Sequence, residues 1–190
     1  VNFPAEFHAQ TAAEAAIKLH PQVVFDDIAH INIHTQEPGV RIISKQGPLT
    51  NYADRDHCIE YIVAWCLLNG NLDANSYTDE AASDSRIDSL REITSTSENT
   101  EYTNRYYNLD ERAIPNKVTV TLKNGDVMEE EVIYPLGHRE RREESKPYLK
   151  QKFNNSLKNT GLDQTFLSDA YNSLDLDKVE IYDILKKIYK

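Results

Sequence analysis

The sequence predicts an α+β domain, a small antiparallel sheet with helices on one face, followed by C-terminal helices. Three observations carry this. KVTVTLKNGDVMEEEVIY (117–134) alternates Val118, Val120 and Leu122 with threonines, then reaches Asn124-Gly125, the strongest short hairpin signal a sequence offers. IAHINIHT (28–35) sets Ile28, Ile31 and Ile33 among polar residues, as a half-buried strand does. Residues 54–69 put Ile59, Ile62, Val63, Cys66 and Leu67 at i, i+3, i+4, i+7 and i+8, the stripe of a core-facing helix.

The 190 residues suit one domain, or one compact domain with a helical appendage. A formal charge of −10 argues against nucleic acid or an anionic membrane as partner, because both demand concentrated Lys and Arg. An acidic protein can still hold an anion through a local group of cations or a helix N-terminus. Cys58 and Cys66 fall in one predicted helix; their spacing corresponds to about 12 Å of helical rise, beyond disulfide reach. They read as buried, unpaired thiols of a reducing, intracellular compartment. His and Cys show no zinc-type spacing, and no apolar run is long enough for a membrane span or reads as a signal peptide. The chain starts at Val1 in structured-looking sequence, so a fragment of a longer protein is expected.

Taken in order, Pro4 keeps Phe3 out of helical geometry, and an Ala-rich helix is expected from about Ala5 to His20, ended by Pro21. Glu6, His8 and Gln10 occupy its first turns, where the dipole favours anions. Residues 36–39, QEPG, read as a turn, and 40–44 as a short apolar segment before Lys45 and the Gly47-Pro48 break. The helix over 54–69 has Asp54 as N-cap and Gly70 just past its end. Capping accounts for Asp54 and partly for Asp56, but not for Arg55 or His57. Residues 71–98 are polar, with a short helix over 86–93. Residues 99–115 read as an irregular connection in which Tyr102, Tyr106 and Tyr107 bury ring area and keep their hydroxyls wet.

In the hairpin, a tight two-residue turn would put Glu129 and Glu131 opposite Val120 and Val118. A glycine bulge puts Met128 and Val132 on the apolar face instead, and this register is expected, with the glutamates guarding an edge. PLGHRERR (135–142) is a turn and basic cluster, either a solvated helix start or an anion-facing loop. Helices are expected over 146–158, 163–173 and 177–189. Asn154-Asn155-Ser156 matches a glycosylation sequon but falls mid-helix.

Four segments carry a resemblance: FPAEFHAQTAAEAA (3–16), RIISKQGPLTNYADRDHCIEY (41–61), RIDSLRE (86–92) and YPLGHRERR (134–142). Together they resemble the C-terminal portion of the MmgE/PrpD family, in the same order and over residues 3 to about 157. The family includes 2-methylcitrate dehydratase and cis-aconitate decarboxylase, and the methylcitrate branch is the nearer. The resemblance implies a chain in three parts. Residues 1–20 would lead in from an N-terminal helical domain outside the chain, 21–145 would form the α+β lid domain, and 146–190 the C-terminal helices. It implies an active site in the cleft between the helical and lid domains. The implied reaction is loss of water from 2-methylcitrate to give 2-methyl-cis-aconitate, in propionate catabolism. No metal or other cofactor would take part. A homodimer is implied, in the mitochondrial matrix if the source is eukaryotic and the cytoplasm if bacterial.

Such an elimination needs a base for the proton beside a carboxylate and an acid for the departing hydroxyl. It also needs cations that hold the carboxylates and the charge developing on them. By the resemblance, His8 is the acid/base candidate. The decarboxylase branch carries a histidine two positions earlier, where this chain has Glu6, which leaves Glu6 as a base or a structural acid. Arg41, Lys45, Arg55 and His57 are the candidates for holding the tricarboxylate. His138 either closes over the cleft or is structural. Two readings stand beside the dehydratase: a cis-aconitate decarboxylase or other tricarboxylate lyase of the family, and a non-catalytic folding or dimerisation domain. An isolated chain with an incomplete catalytic set is expected to be inactive.

Overall fold

Alternation in 28–35 and 116–132 builds the sheet that positions everything else. In the computed structural model, which describes residues 2–157 together with Tyr182 and Lys186, four strands form: β1 (Ile28–Thr35), β2 (Thr94–Glu98), β3 (Asn116–Leu122) and β4 (Val127–Val132). Their order is β2-β1-β3-β4, with β1 antiparallel to β3 and β3 antiparallel to β4. Ile31, Ile33, Val118 and Val120 are fully buried on one face. The other face carries His30, Asn32, His34, Ser95 and Ser97, hydrogen-bonded to one another. A sheet covered on one side needs this division.

β2 departs from the sequence reading. TSTSE has no apolar alternation, yet it pairs parallel to β1, Ile31 opposite Thr94 and Ile33 opposite Thr96. Its inward threonines satisfy their hydroxyls inside: Thr94 donates to the Leu90 carbonyl (2.7 Å) and Thr96 to Glu60 (2.7 Å). The sheet is therefore mixed at this edge within the expected α+β class.

The hairpin takes the bulged register. Val120 faces Met128 and Asn116 faces Val132, and Gly125 supplies the positive φ of +92° that the bulge requires. Glu130 falls on the covered face opposite Val118, where Lys18 reaches it at 2.9 Å.

The helices, in chain order, are α1 (Gln10–Leu19), α2 (Glu37–Ile43), α3 (Tyr52–Asp56), α4 (Ile59–Asn69), α5 (Asp79–Ala82), α6 (Ser85–Glu92), α7 (Thr100–Tyr107) and α8 (Arg142–Leu157). A 3₁₀ turn, Phe7–Ala9, precedes α1. The fully buried Ala12, Ala13, Ala15 and Ala16 let α1 approach α4 and strands β3 and β4 closely. α4 is buried nearly all round, including Tyr61, Ala64 and Glu60, so it is the axis of the core rather than an amphipathic surface helix. Gly70 ends it in the left-handed conformation, φ +66°.

Four expectations are corrected. The single helix over 54–69 is two, because the chain turns at His57 and Cys58 is extended. Asn51, not Asp54, caps the first, accepting from the Asp54 N–H at 2.9 Å. Asp54 returns the contact by accepting from Thr50 and Asn51. The QEPG turn is instead the start of α2, since Pro38 suits the first turn of a helix. The connection over 99–115 contains α7, capped by the Asn99 side chain.

Gly39 explains why α2 can lie against β1. A Cβ there would sit 2.4 Å from Thr35 Oγ1, and Thr35 is fully buried, its hydroxyl fixed on Gln36 at 2.6 Å. The Gly39→Ala substitution is expected to destabilise the chain by about 2 kcal/mol, the overpacking range. Urea unfolding followed by Trp65 fluorescence measures it.

Contacts divide the chain into two compact units, Val1–Arg142 and Glu143–Lys190. The first holds the sheet and α1–α7; in the second, α8 continues to Leu157. The helix expected over 163–173 lies outside the described residues, as does that over 177–189 apart from Tyr182 and Lys186, both helical. Cys58 and Cys66 are buried free thiols. Burial, with the Glu60 carboxylate nearby, pushes the Cys58 thiol up to about 11. Among the described residues no helix is long and apolar enough to cross a membrane.

Candidate active site

The turn leading into α1 is fixed from three sides. Gln10 clamps the preceding segment, accepting from the Phe3 N–H (3.1 Å) and donating to the carbonyls of Phe3 (3.0 Å) and Ala5 (2.9 Å). The Glu6 N–H donates to the Asp56 carbonyl at the end of α3 (3.2 Å). Asn116, at the start of β3, donates to the His8 carbonyl (2.8 Å) and to Thr11 Oγ1 (2.7 Å), and Thr11 donates to the Ile114 carbonyl. A catalytic side chain needs a rigid seat of this kind.

On that seat Glu6 and His8 form a pair. The Glu6 carboxylate accepts from the His8 N–H at 2.7 Å and lies 2.9 and 3.1 Å from His8 Nδ1. The other ring nitrogen, Nε2, lies 3.1 Å from the Tyr106 hydroxyl on α7. Opposite an ionised Glu6, Nδ1 carries a proton, and in the uncharged tautomer of His8 that this selects, Nε2 accepts from the Tyr106 hydroxyl. Burial pushes the Glu6 pKa upward, but the His8 side-chain and backbone hydrogen bonds, with the attraction of the protonated forms of His8 and His57, outweigh it and hold the carboxyl below its ordinary range. Tyr106 is shifted the other way: burial, then the nearby Tyr107 and Glu6 charges, raise its hydroxyl, against a smaller opposing pull from Arg41.

α2 supplies the next layer. Glu37 accepts from Arg41 Nε at 2.7 Å and from the Tyr107 hydroxyl at 3.3 Å. The Glu37 N–H donates to Thr103, which ties α2 to α7 (2.9 Å). Arg41 is largely exposed, its side chain 64% accessible, so it has reach toward an anion. Among the predicted residues, Glu6, His8, His57 and Arg41 thus belong to one neighbourhood, with Tyr106, Tyr107 and Glu37 added to it. His57 extends from the end of α3, its Nδ1 2.6 Å from Asp56. Lys45 lies beyond α2, 3.9 Å from Asp54.

The remaining predicted residues are engaged elsewhere. Arg55 is buried and turns inward, donating to the Tyr77 carbonyl at 2.8 Å and pairing with Asp79 at 2.7 Å. Arg55 thereby fastens α3 to the following loop. His138 has both nitrogens committed: Nε2 donates to the Glu111 carbonyl (3.0 Å) and Nδ1 accepts from the Glu140 N–H (3.2 Å). Its ring stacks on Tyr134 at 4.6 Å. It caps the turn Arg139–Arg141. The basic cluster leads into α8 with Arg139 exposed, as a solvated helix start does, while Arg141 turns back onto Glu14 through two 2.8 Å bonds.

A groove of about 370 Å³ opens beside the His8 turn, between Phe7, Ile114 and the loop from Pro135 to Arg139. Its volume is in the range of small-molecule sites. His8 is not among its lining residues, whereas its neighbour Phe7 is. A larger hollow of about 470 Å³ among Phe25, Ile28, Leu90 and Lys123 includes none of the candidate residues. Among the described residues, no three His, Cys, Asp or Glu side chains are grouped so as to hold a metal ion.

The model of the MmgE/PrpD C-terminal domain matches residues 3–167. The chain is 53% identical over 164 residues to the mitochondrial 2-methylcitrate dehydratase of Yarrowia lipolytica, a match covering 83% of this chain and 32% of that protein. It is 48% identical to the 2-methylcitrate dehydratase of Cupriavidus necator and 46% to that of Escherichia coli K12, each over 163 residues, 83% of this chain and 34% of the relative. The chain therefore spans about a third of the length of the curated relatives it matches.

Proposed function

Since the chain belongs to the MmgE/PrpD family, we propose that the full protein carrying it is a 2-methylcitrate dehydratase, a hydro-lyase that removes water to give 2-methyl-cis-aconitate. The observation that carries this reading is the Glu6–His8–Tyr106 chain of hydrogen bonds beside the exposed Arg41. It joins a proton-transfer group to a cation, the two things that elimination beside a carboxylate requires. The names of the relatives supply the substrate.

In this reading Glu6 and His8 are the catalytic contribution of the chain, and Arg41, His57 and Lys45 hold substrate carboxylates. Arg55 and His138 keep the structural tasks described above. The helical domain that would complete the cleft lies outside this chain. A homodimer and a mitochondrial matrix location, the latter for a eukaryotic source on the strength of the Yarrowia relative's name, belong to the same proposal; a bacterial source would put it in the cytoplasm.

The test offers the full-length protein 2-methylcitrate, citrate and cis-aconitate. A new double bond formed from 2-methylcitrate supports the dehydratase. Release of CO₂ from cis-aconitate would favour the decarboxylase, a reading that Glu6, standing where that branch has histidine, disfavours. Turnover of none would favour a non-catalytic domain.

A further inference from the structure

We propose that the group of this chain that exchanges protons with the substrate is the Tyr106 hydroxyl, with His8 behind it as relay and Glu6 as the relay's counter-ion. The inference rests on the dehydratase reading and adds a catalytic residue to it. Its basis is geometric. The His8 side chain is only 9% exposed, and both of its nitrogens are engaged, Nδ1 by Glu6 and Nε2 by Tyr106. An imidazole so enclosed has no nitrogen left for a substrate. Tyr106 is half-buried and forms the outer end of the chain of hydrogen bonds. Its ring is set by His8 (centroids 5.5 Å apart) and by the edge of Tyr107 (5.1 Å), and Arg41 is close enough to act on its charge.

The direction of the bonds sets the order of events. In the uncharged tautomer of His8 selected by Glu6, Tyr106 donates to Nε2, and the lone pairs of its oxygen are available to the substrate. As the C–H bond beside a carboxylate breaks, its proton passes to the Tyr106 oxygen and the original Tyr106 proton passes to Nε2. An imidazolium is left facing the Glu6 carboxylate, and the electron pair is left on substrate as an enolate-type carbanion that a cation such as Arg41 stabilises. That pair then forms the double bond as the C–O bond breaks. The departing hydroxide takes a proton from Tyr106, which recovers the one held on His8. Water leaves and all three side chains return to their starting states.

The test is the Tyr106→Phe substitution in the full-length protein, which keeps the ring packing and removes only the oxygen. The expected result is a fall in kcat of about 10²–10⁴-fold, the range for an acid/base group, with KM within about threefold of the parent. A second variant replaces Tyr106 by 3,5-difluorotyrosine, which retains the hydroxyl but makes it more acidic; kcat is expected to change by about threefold or more. Parent-like kcat in either variant, with the unsubstituted enzyme active on 2-methylcitrate, overturns the relay while leaving the dehydratase reading intact. An unsubstituted full-length protein that turns over no tricarboxylate overturns both.

Discussion

Replacing Glu6 by glutamine in the full-length protein is expected to lower kcat for 2-methylcitrate by about 10²-fold, within the range for a group supporting acid/base catalysis. Glutamine fills the same space and can still accept from the His8 N–H, so the turn keeps its cap. What it lacks is charge. The carboxylate fixes the His8 tautomer with Nδ1 protonated and stabilises the imidazolium that forms when Nε2 takes a proton. An amide can instead donate to Nδ1, leaving Nε2–H pointed at Tyr106 and the relay reversed. The readout is kcat at saturating substrate, with KM little changed because Glu6 acts through its bonds to His8 rather than on the substrate. The same carboxylate has a signature in stability. Its pKa is lowered in the fold, so its stabilising contribution is fully present above the ordinary glutamate range and is lost as the pH falls through the lowered value. The Glu6→Gln protein is expected to lose less stability over that acid interval than the parent.

The Arg141→Ala substitution is expected to destabilise the chain by about 3 kcal/mol. Glu14 and Arg141 are joined by two parallel 2.8 Å bonds, their side chains only 10% and 16% exposed, and Arg141 also donates to the Tyr134 carbonyl at 2.7 Å. Removing one member of a buried pair strands the other, at about 3–5 kcal/mol. The lower end applies because Lys18 lies 3.5 Å from Glu14 and retains part of its neutralisation. Replacing both residues by leucine removes the stranded charge as well, so the double variant is expected to be less destabilised than Arg141→Ala alone. Urea midpoints of the three proteins, read by Trp65, decide the matter; a loss below about 1 kcal/mol for Arg141→Ala would mean that the pair behaves as a surface contact.

Local signals and distant contacts explain how far the sequence could be read. Alternation and Asn124-Gly125 specify β1, β3, β4 and the bulged register because these depend on neighbours in sequence. The helix over 59–69 and its Gly70 terminus are legible for the same reason. β2 is not, since Thr94 and Thr96 earn their inward positions through Leu90 and Glu60 rather than through hydrophobicity. The break at His57 is likewise set by tertiary contacts, the Asp56 carbonyl being taken by Glu6 and the Arg55 side chain by Tyr77 and Asp79. In the site, Glu6 and His8 are visible as neighbours, whereas Tyr106 joins them from 98 positions away. No local pattern marks it; a tyrosine pair on a polar helix looks like one that buries its rings and keeps its hydroxyls wet. Arg55 shows the reverse case, a cation in a promising run that the fold turns inward.

If the His8 turn is the proton-transfer centre that this chain contributes to a dehydratase, as proposed, removing its imidazole must suppress turnover. The most direct measurement is the rate of double-bond formation from 2-methylcitrate by the full-length protein and its His8→Ala variant, with thermal unfolding recorded for both. The expected result is an active parent and a folded variant whose kcat is lower by about 10²–10⁴-fold. Unaltered turnover by the variant would contradict the claim.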